Sequence, residues 1–210
     1  MNRTTTPIFE SVASKATGGL RIRRAIPSDI PALERLIERA VWGLQSRDYG
    51  EETLDGALRS GLLAVDSHLI SDGTYFVAEI GNRIVGSGGW SQRRKIVNGA
   101  NDSDESDDTL DAASEAAKAR AFYVRPECAR MGIGGRLLRE SEEAARRAGF
   151  LRMELISTLT GAPFYTSRGW RSGESMKIPL PDGQSYPAIR MSKKLEETGY
   201  EENRDRASVA

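Results

Sequence analysis

The chemically suggestive residues start with a run of glycines. Arg130-Met131-Gly132-Ile133-Gly134-Gly135 lies between a strand-like segment, Ala119–Val124, and a helix-like one, Gly134–Gly149. The start of a helix leaves its first backbone N–H groups without intrahelical partners, and the macrodipole adds to their pull on anions. Glycines at 132, 134 and 135 allow a phosphate to approach the backbone closely. The chemistry this spacing favours is therefore phosphate or pyrophosphate binding. A Walker loop needs G-x-x-x-x-G-K-[ST], which the chain does not contain. A dinucleotide fingerprint needs a third glycine where Leu137 stands, although Glu154 follows at a separation that fold would use. The remaining alternative is a strand-loop-helix whose glycines serve only the turn.

Tyr165, beside Phe164 in Ala162-Pro163-Phe164-Tyr165-Thr166-Ser167-Arg168-Gly169-Trp170, is the second candidate. A phenol of pKa about 10 can act as a general acid. The plain alternative is a packed ring with its hydroxyl at the surface. A general base is harder to find. The strand Ala119–Val124 carries Arg120 and no acid, and Glu79 and Glu154 are the strand carboxylates closest to the task, each with a structural role as its alternative; water is a third option. Cys128 precedes the helix, where a thiol pKa can fall, but no histidine follows to support an acyl-cysteine. His68 reads as a surface or linking residue.

These residues need elements to hold them. Leu20–Ala25 alternates apolar and polar, as a strand does. Pro27-Ser28-Asp29 starts a helix, capped by Ser28 or Asp29, with Ile30, Leu33, Leu36, Ile37, Ala40 and Val41 on its inner face. A second helix spans Glu51 to about Leu63. Thr74–Ile80 and Arg83–Trp90 form a hairpin through Gly81-Asn82. Residues 92–118 break the rhythm. Asp102, Asp104, Glu105, Asp107 and Asp108 make this an acidic, solvated excursion, or a lid over a cationic group, with a short helix expected near Leu110–Ala117. Gly149 is the expected C-terminal cap of the long helix. Strand Leu151–Ile156, a short helix from about Gly161 capped by Thr160, and strands Trp170–Ile178 and Ala188–Lys194 complete the order. Trp42 is expected in the core, and Tyr49 on a lip between the first two helices.

The order β-α-α-β-β-β-α-β-α-β-β mixes hairpins with one crossover. It gives an α+β fold with a mixed, mostly antiparallel sheet and helices on both faces. The 210 residues suit one domain, expected over 19–195, between a flexible arm at 1–18 and a flexible tail at 196–210. Thirty basic residues balance thirty acidic ones, which argues against a nucleic-acid binder and a wholly acidic disordered chain. One cysteine and one histidine exclude a disulfide framework and a two-histidine metal motif, so no metal is expected. No apolar run is long enough to span a membrane and no secretory signal is evident, so a cytoplasmic location is expected.

The segment Arg130–Gly135 at a strand-to-helix turn resembles the acyl-CoA pyrophosphate loop of the GCN5-related N-acetyltransferase (GNAT) family, R/Q-x-x-G-x-G/A. Residues 162–170 are similar to that family's second landmark, FY-x-x-x-G-F/W. The first motif position is Ala129, and the basic residue stands one place later at Arg130. The resemblance, which covers Leu20–Leu195, implies the acyl-CoA N-acyltransferase fold and acetyl transfer from acetyl-CoA to a primary amine in a ternary complex. It implies that Phe122, Tyr123 and Val124 pair with the pantetheine arm, with an N–H of that strand, Val124, facing the oxyanion. Backbone amides of Arg130, Met131, Gly132, Ile133, Gly134 and Gly135 would hold the pyrophosphate, Thr160 would flank the pantetheine, and Tyr165 would be the general acid. The acceptor is left open between small-molecule and peptide or protein amines, with the acidic run favouring a cationic one. A homodimer, if formed, would use the last strands. The alternatives are an acyl-CoA sensor with the same fold, a nucleotide- or phosphosugar-binding module, and a structural interaction domain.

Overall fold

The computed structural model describes residues 19–94 and 108–195. The expected arm, tail and most of the acidic run lie outside them. Seven strands, β1 (Leu20–Arg24), β2 (Tyr75–Ile80), β3 (Arg83–Ser91), β4 (Ala117–Val124), β5 (Arg152–Thr158), β6 (Arg171–Pro179) and β7 (Ser185–Lys194), form one sheet in the order β1-β2-β3-β4-β5-β7-β6. Every neighbouring pair is antiparallel except β4 and β5. The helices are α1 (Ile30–Ala40), α2 (Glu51–Arg59), α3 (Ser67–Ser71), α4 (Ile133–Arg147) and α5 (Ala162–Thr166). Short 3-10 turns at Pro27–Asp29 and Pro126–Cys128 lead into α1 and toward α4.

β2 shows how the two layers are made. Phe76 and Ala78 pack with Leu137, Leu138 and Ala145 of α4, while Tyr75 and Val77 pack with Leu33 and Leu36 of α1 and Leu69 of α3. Period-two alternation thus feeds two opposite cores from one strand. A third cluster joins α1 and α2 to the β6–β7 turn through Ile37, Leu54, Leu180 and Tyr186. Gly149 follows α4 at φ +94, the left-handed stop its composition favours.

Several local expectations change. Residues 110–117 hold no helix; Ser114 and Glu115 N–H groups donate to Asp111 O in a single turn, and β4 already begins at Ala117. Helix α3 was missed because its five residues are too few to show a period. Helix α5 is capped by Gly161, not Thr160. The Thr160 hydroxyl instead donates to Asp48 Oδ2 at 2.5 Å. Asp29 does not bond into α1; its carboxylate accepts from Ile26 N–H and from Arg23. After α1 the chain widens into a π turn, Val41–Gln45, which leaves Trp42 37% exposed rather than in the core.

Candidate functional site

β4 and β5 are registered only at Ala117–Met153 and Lys118–Glu154, so beyond Lys118 the two parallel strands part. The buried Lys118 ammonium donates to Glu154, which also takes Arg190 at 3.4 Å, and this ion-paired group closes the narrow end of the opening. Past it, β4 carries a bulge. Ser87 faces Tyr123 and Gly89 faces Arg120, so Ala121 and Phe122 together oppose Gly88. Ala121 is left-handed at φ +59. Its carbonyl accepts from Ser87 Oγ at 3.1 Å, and that hydroxyl accepts from Tyr75 at 3.2 Å. A Cβ on Gly88 would sit 2.4 Å from the Phe122 ring, so glycine there makes room for the bulged side chain.

The parted strands leave a cavity of about 140 Å³, lined by Ala119–Tyr123 of β4, Leu155–Thr158 of β5, Tyr165, Tyr186, Gln45 and the segment 62–64. Gln45 reaches it because the π turn rotates it inward; it is buried and accepts from Tyr186 Oη at 2.5 Å. Tyr186 stacks on Tyr49 with centroids 4.5 Å apart. Tyr49 is not an open lip. It is buried, donates to Pro187 O and accepts from Leu159 N–H, both at 2.7 Å, and so ties the chain after β5 to the α1–α2 connection.

Tyr165 enters the cavity from α5 among three aromatic rings: Phe122 at 6.2 Å, Phe164 at 5.0 Å and Trp170 at 5.8 Å, all edge-on. Burial, and then the neighbouring Tyr123, push its phenol above the ordinary value, so it stays protonated. Arg125 N–H donates to Val85 O at 2.9 Å. Antiparallel alternation therefore turns the Val124 N–H away from β3, toward the side where β5 has left.

At the same end of β4 lies the glycine loop. Arg130 is exposed and left-handed at φ +66, and Gly132 at φ +79 is the residue before α4. The N–H groups of Ile133, Gly134 and Gly135 open that helix and have no intrahelical acceptor. The two later glycines have a packing reason as well. A Cβ on Gly134 would meet the Phe164 ring at 3.2 Å, and one on Gly135 the Arg168 guanidinium at 2.9 Å, so α5 crosses directly over the first turn of α4. The loop is held from below by Glu127, which faces Arg83 at 3.1 Å, Arg39 at 3.5 Å and Arg125 at 3.6 Å.

The structure thus brings Phe122, Tyr123 and Tyr165 to one cavity, with Val124 and the loop 130–135 at the end of the same strand. Neither Glu79 nor Glu154 lines it. Glu79 pairs with Arg23 at 2.6 Å on β1, and Glu154 belongs to the closed end. Cys128 is buried, and desolvation followed by Glu127 raises its thiol above the ordinary value. Among the described residues no cluster of histidine, cysteine or acid could hold a metal. Sequence spacing missed an ion pair in the wall: Arg120 Nη1 lies 2.9 Å from Asp66 Oδ2, both side chains nearly inaccessible. No local pattern joins these two residues; only the fold does.

Residues 71–172 match the family model described as Acetyltransferase (GNAT) domain. No curated protein matches the sequence significantly. The fold is shared with a GCN5-related N-acetyltransferase from Rhodopseudomonas palustris at TM-score 0.63 and 17% identity, over 85% of this chain and 97% of that one. It is also shared with the PaiA N-acetyltransferase from Thermoplasma acidophilum in complex with coenzyme A, at TM-score 0.59 and 18% identity over 84% and 99% of the two chains. A ribosomal-protein-alanine N-acetyltransferase from Brucella melitensis aligns at TM-score 0.56 and 22% identity, over 83% and 99%. Among the described residues no helix is long and apolar enough to cross a membrane.

Proposed function

This chain carries an acetyltransferase domain of the GNAT type, and from that premise we propose that it moves an acetyl group from acetyl-CoA to a primary amine by direct attack. The observation that carries the reading is the convergence, at the open end of β4, of a helix-start glycine loop, a strand that has lost its parallel neighbour and a buried phenol. The free N–H groups of the loop suit a pyrophosphate. They do not need the side chain that Ala129 lacks. The stretch of β4 that has no β5 partner, Phe122–Val124, suits an extended pantetheine arm that takes the place of a strand.

In this reading the amine nitrogen attacks the thioester carbonyl. The C–N bond forms, the Val124 N–H stabilises the developing oxyanion, and the C–S bond breaks. Tyr165 gives its proton to the departing thiolate, and the surplus proton of the amine leaves to water. No carboxylate among the described residues lines the cavity to take it.

A thermal-shift titration with acetyl-CoA, and with CoA, ATP and NAD in parallel, tests the binding half. A ligand at 100 times its Kd stabilises by about 2.7 kcal/mol, a rise of several degrees for a domain of this size. The expected result is a rise with acetyl-CoA and CoA alone, followed by thiol release when an amine is added. No rise with either overturns the proposal.

A further inference from the structure

Away from the cavity that Tyr165 enters, at the other end of β5, an open groove of about 850 Å³ lies between α4 and strands β5, β7 and β6. The sheet register sets Arg152 of β5 beside Lys194 of β7, and Arg171 of β6 beside Ser192, so these cations share one end of three adjacent strands. Arg146 of α4, Arg168 and Lys193 complete a lining of six cations and three carboxylates. The carboxylates are already engaged. Glu142 holds Lys193 at 2.7 Å and the Trp170 indole N–H at 2.9 Å, Glu154 holds Lys118 and Arg190, and Glu143 faces Arg147 at 3.7 Å. Among the described residues the other five cations have no carboxylate partner. Arg152 donates to Ser114 O and Arg168 to Phe164 O, while Arg146, Arg171 and Lys194 make no ion pair or side-chain hydrogen bond there. Like charges gathered on one surface repel, and an anion set between them relieves that repulsion. Arginine forks match carboxylates in particular.

Leu195 lines the same groove, buried, with its N–H donating to Leu151 O at 2.9 Å. The sequence goes on as Glu196-Glu197-Thr198-Gly199-Tyr200-Glu201-Glu202, four acids and no base in seven residues. Seven residues reach at most about 25 Å, enough to run along a groove of this size. Arg152, Arg171 and Lys194 are exposed, so the groove suits an extended chain better than an enclosed small ligand. A segment joined to the wall it binds has an effective concentration in the mM range, so even a contact with a Kd of about 0.1 mM is about nine-tenths closed.

We propose that residues 196–202 bind in this groove, their glutamates pairing with Arg146, Arg152, Arg171 and Lys194. Bound there, the segment covers the outer side of the Lys118–Glu154 pair, which closes the narrow end of the opening between β4 and β5. The proposal does not depend on the acetyl-transfer reading.

The test compares the full chain with a variant carrying Glu196→Gln, Glu197→Gln, Glu201→Gln and Glu202→Gln, which vacates the groove without shortening the chain. A fluorescein-labelled peptide of residues 196–202 is titrated with each, and its anisotropy is read at low salt. The variant is expected to bind the peptide about tenfold more tightly than the wild type, whose own segment competes. Adding Arg146→Gln and Arg171→Gln to the variant should weaken binding by about tenfold, and a melting curve checks that the protein is folded. Arg171→Gln alone, at an exposed position, gives a smaller loss in the same direction if the pair does not fold. Raising salt from about 0.05 to about 0.5 M should also weaken binding, because exposed charges are screened. Equal affinity for wild type and variant overturns the proposal and leaves the groove open to an outside acidic partner. So does a peptide that does not bind the variant, or one whose binding ignores the arginine substitutions.

Discussion

Tyr165 is where packing and chemistry can be separated. Its ring is held by Phe122, Phe164 and Trp170, while its hydroxyl is the part the proposed reaction uses. Tyr165→Phe keeps the ring contacts and removes the proton. Transfer should fall by about 10²–10⁴-fold, while the acetyl-CoA thermal shift persists and stability changes by no more than about 1.5 kcal/mol. Steady-state thiol release alongside a melting curve decides it, and an unchanged rate would hand the proton step to solvent. Tyr165 was legible because it stands inside a local pattern, F-Y-x-x-x-G-W, set just before a strand. Arg120 was visible only as a basic residue on a strand. Its pairing with Asp66 depends on α3 docking beside β4, and long-range geometry of that kind leaves no trace in spacing. The same holds for Tyr49 and Tyr186, which read as isolated aromatics and prove to be one stacked strut.

The bulge on β4 is the element that opens the site. It depends on two small residues with opposite needs. Gly88 must have no side chain, because a Cβ would come within 2.4 Å of Phe122; Ala121 has one but sits at φ +59. Gly88→Ala should therefore displace Phe122 from Tyr165 and cost about 1–3 kcal/mol as an overpacked site. Ala121→Gly should behave in the opposite way. A left-handed L-residue costs about 1–2 kcal/mol, and the extra chain entropy of glycine offsets about 0.5–1 of it. Urea midpoints should place Ala121→Gly level with the wild type or up to about 1 kcal/mol above it. Ala119→Gly, in the extended and buried part of the same strand, should be clearly destabilised. Equal losses at 119 and 121 would remove the strain argument. The strands themselves were legible, since hairpin β2–β3 and the crossover through α4 announce themselves by period and by Gly81-Asn82 and Gly149. The bulge was not, because Ala-Arg-Ala-Phe-Tyr-Val reads as an unbroken strand and only the register with β3 shows the extra residue.

At the scale of the whole molecule, ion pairs reinforce segments that the apolar clusters already join, and their titration sets the acid limit of the fold. Arg23 holds both Asp29, at the start of α1, and Glu79 on β2. Arg93, just after β3, holds Asp72 at the end of α3. Hydrogen bonds from Arg23 keep Asp29 below the ordinary carboxylate range, and those from Arg93 do the same for Asp72. Burial alone would raise Glu127, but a backbone hydrogen bond and the guanidiniums of Arg39, Arg125 and Arg83 carry it lower. A carboxylate whose folded pKa is depressed stabilises fully above its unfolded value, about 4, and that contribution disappears as pH falls through the folded value. The chain, electrically balanced at pH 7, also becomes strongly positive over the same interval. Stability should therefore be level from neutrality to about pH 5 and fall steeply below about pH 4. Arg23→Gln sharpens the expectation. It removes the partner that depresses Asp29, so the variant should be less stable than the wild type at pH 7, with the gap narrowing as both are acidified. Urea unfolding at pH 7, 5, 4 and 3 measures this directly. Curves for the two proteins that stay parallel down to pH 3 would mean that Arg23 acts through packing of its aliphatic stem. The charge network would then have no part in joining β1 and α1 to the sheet.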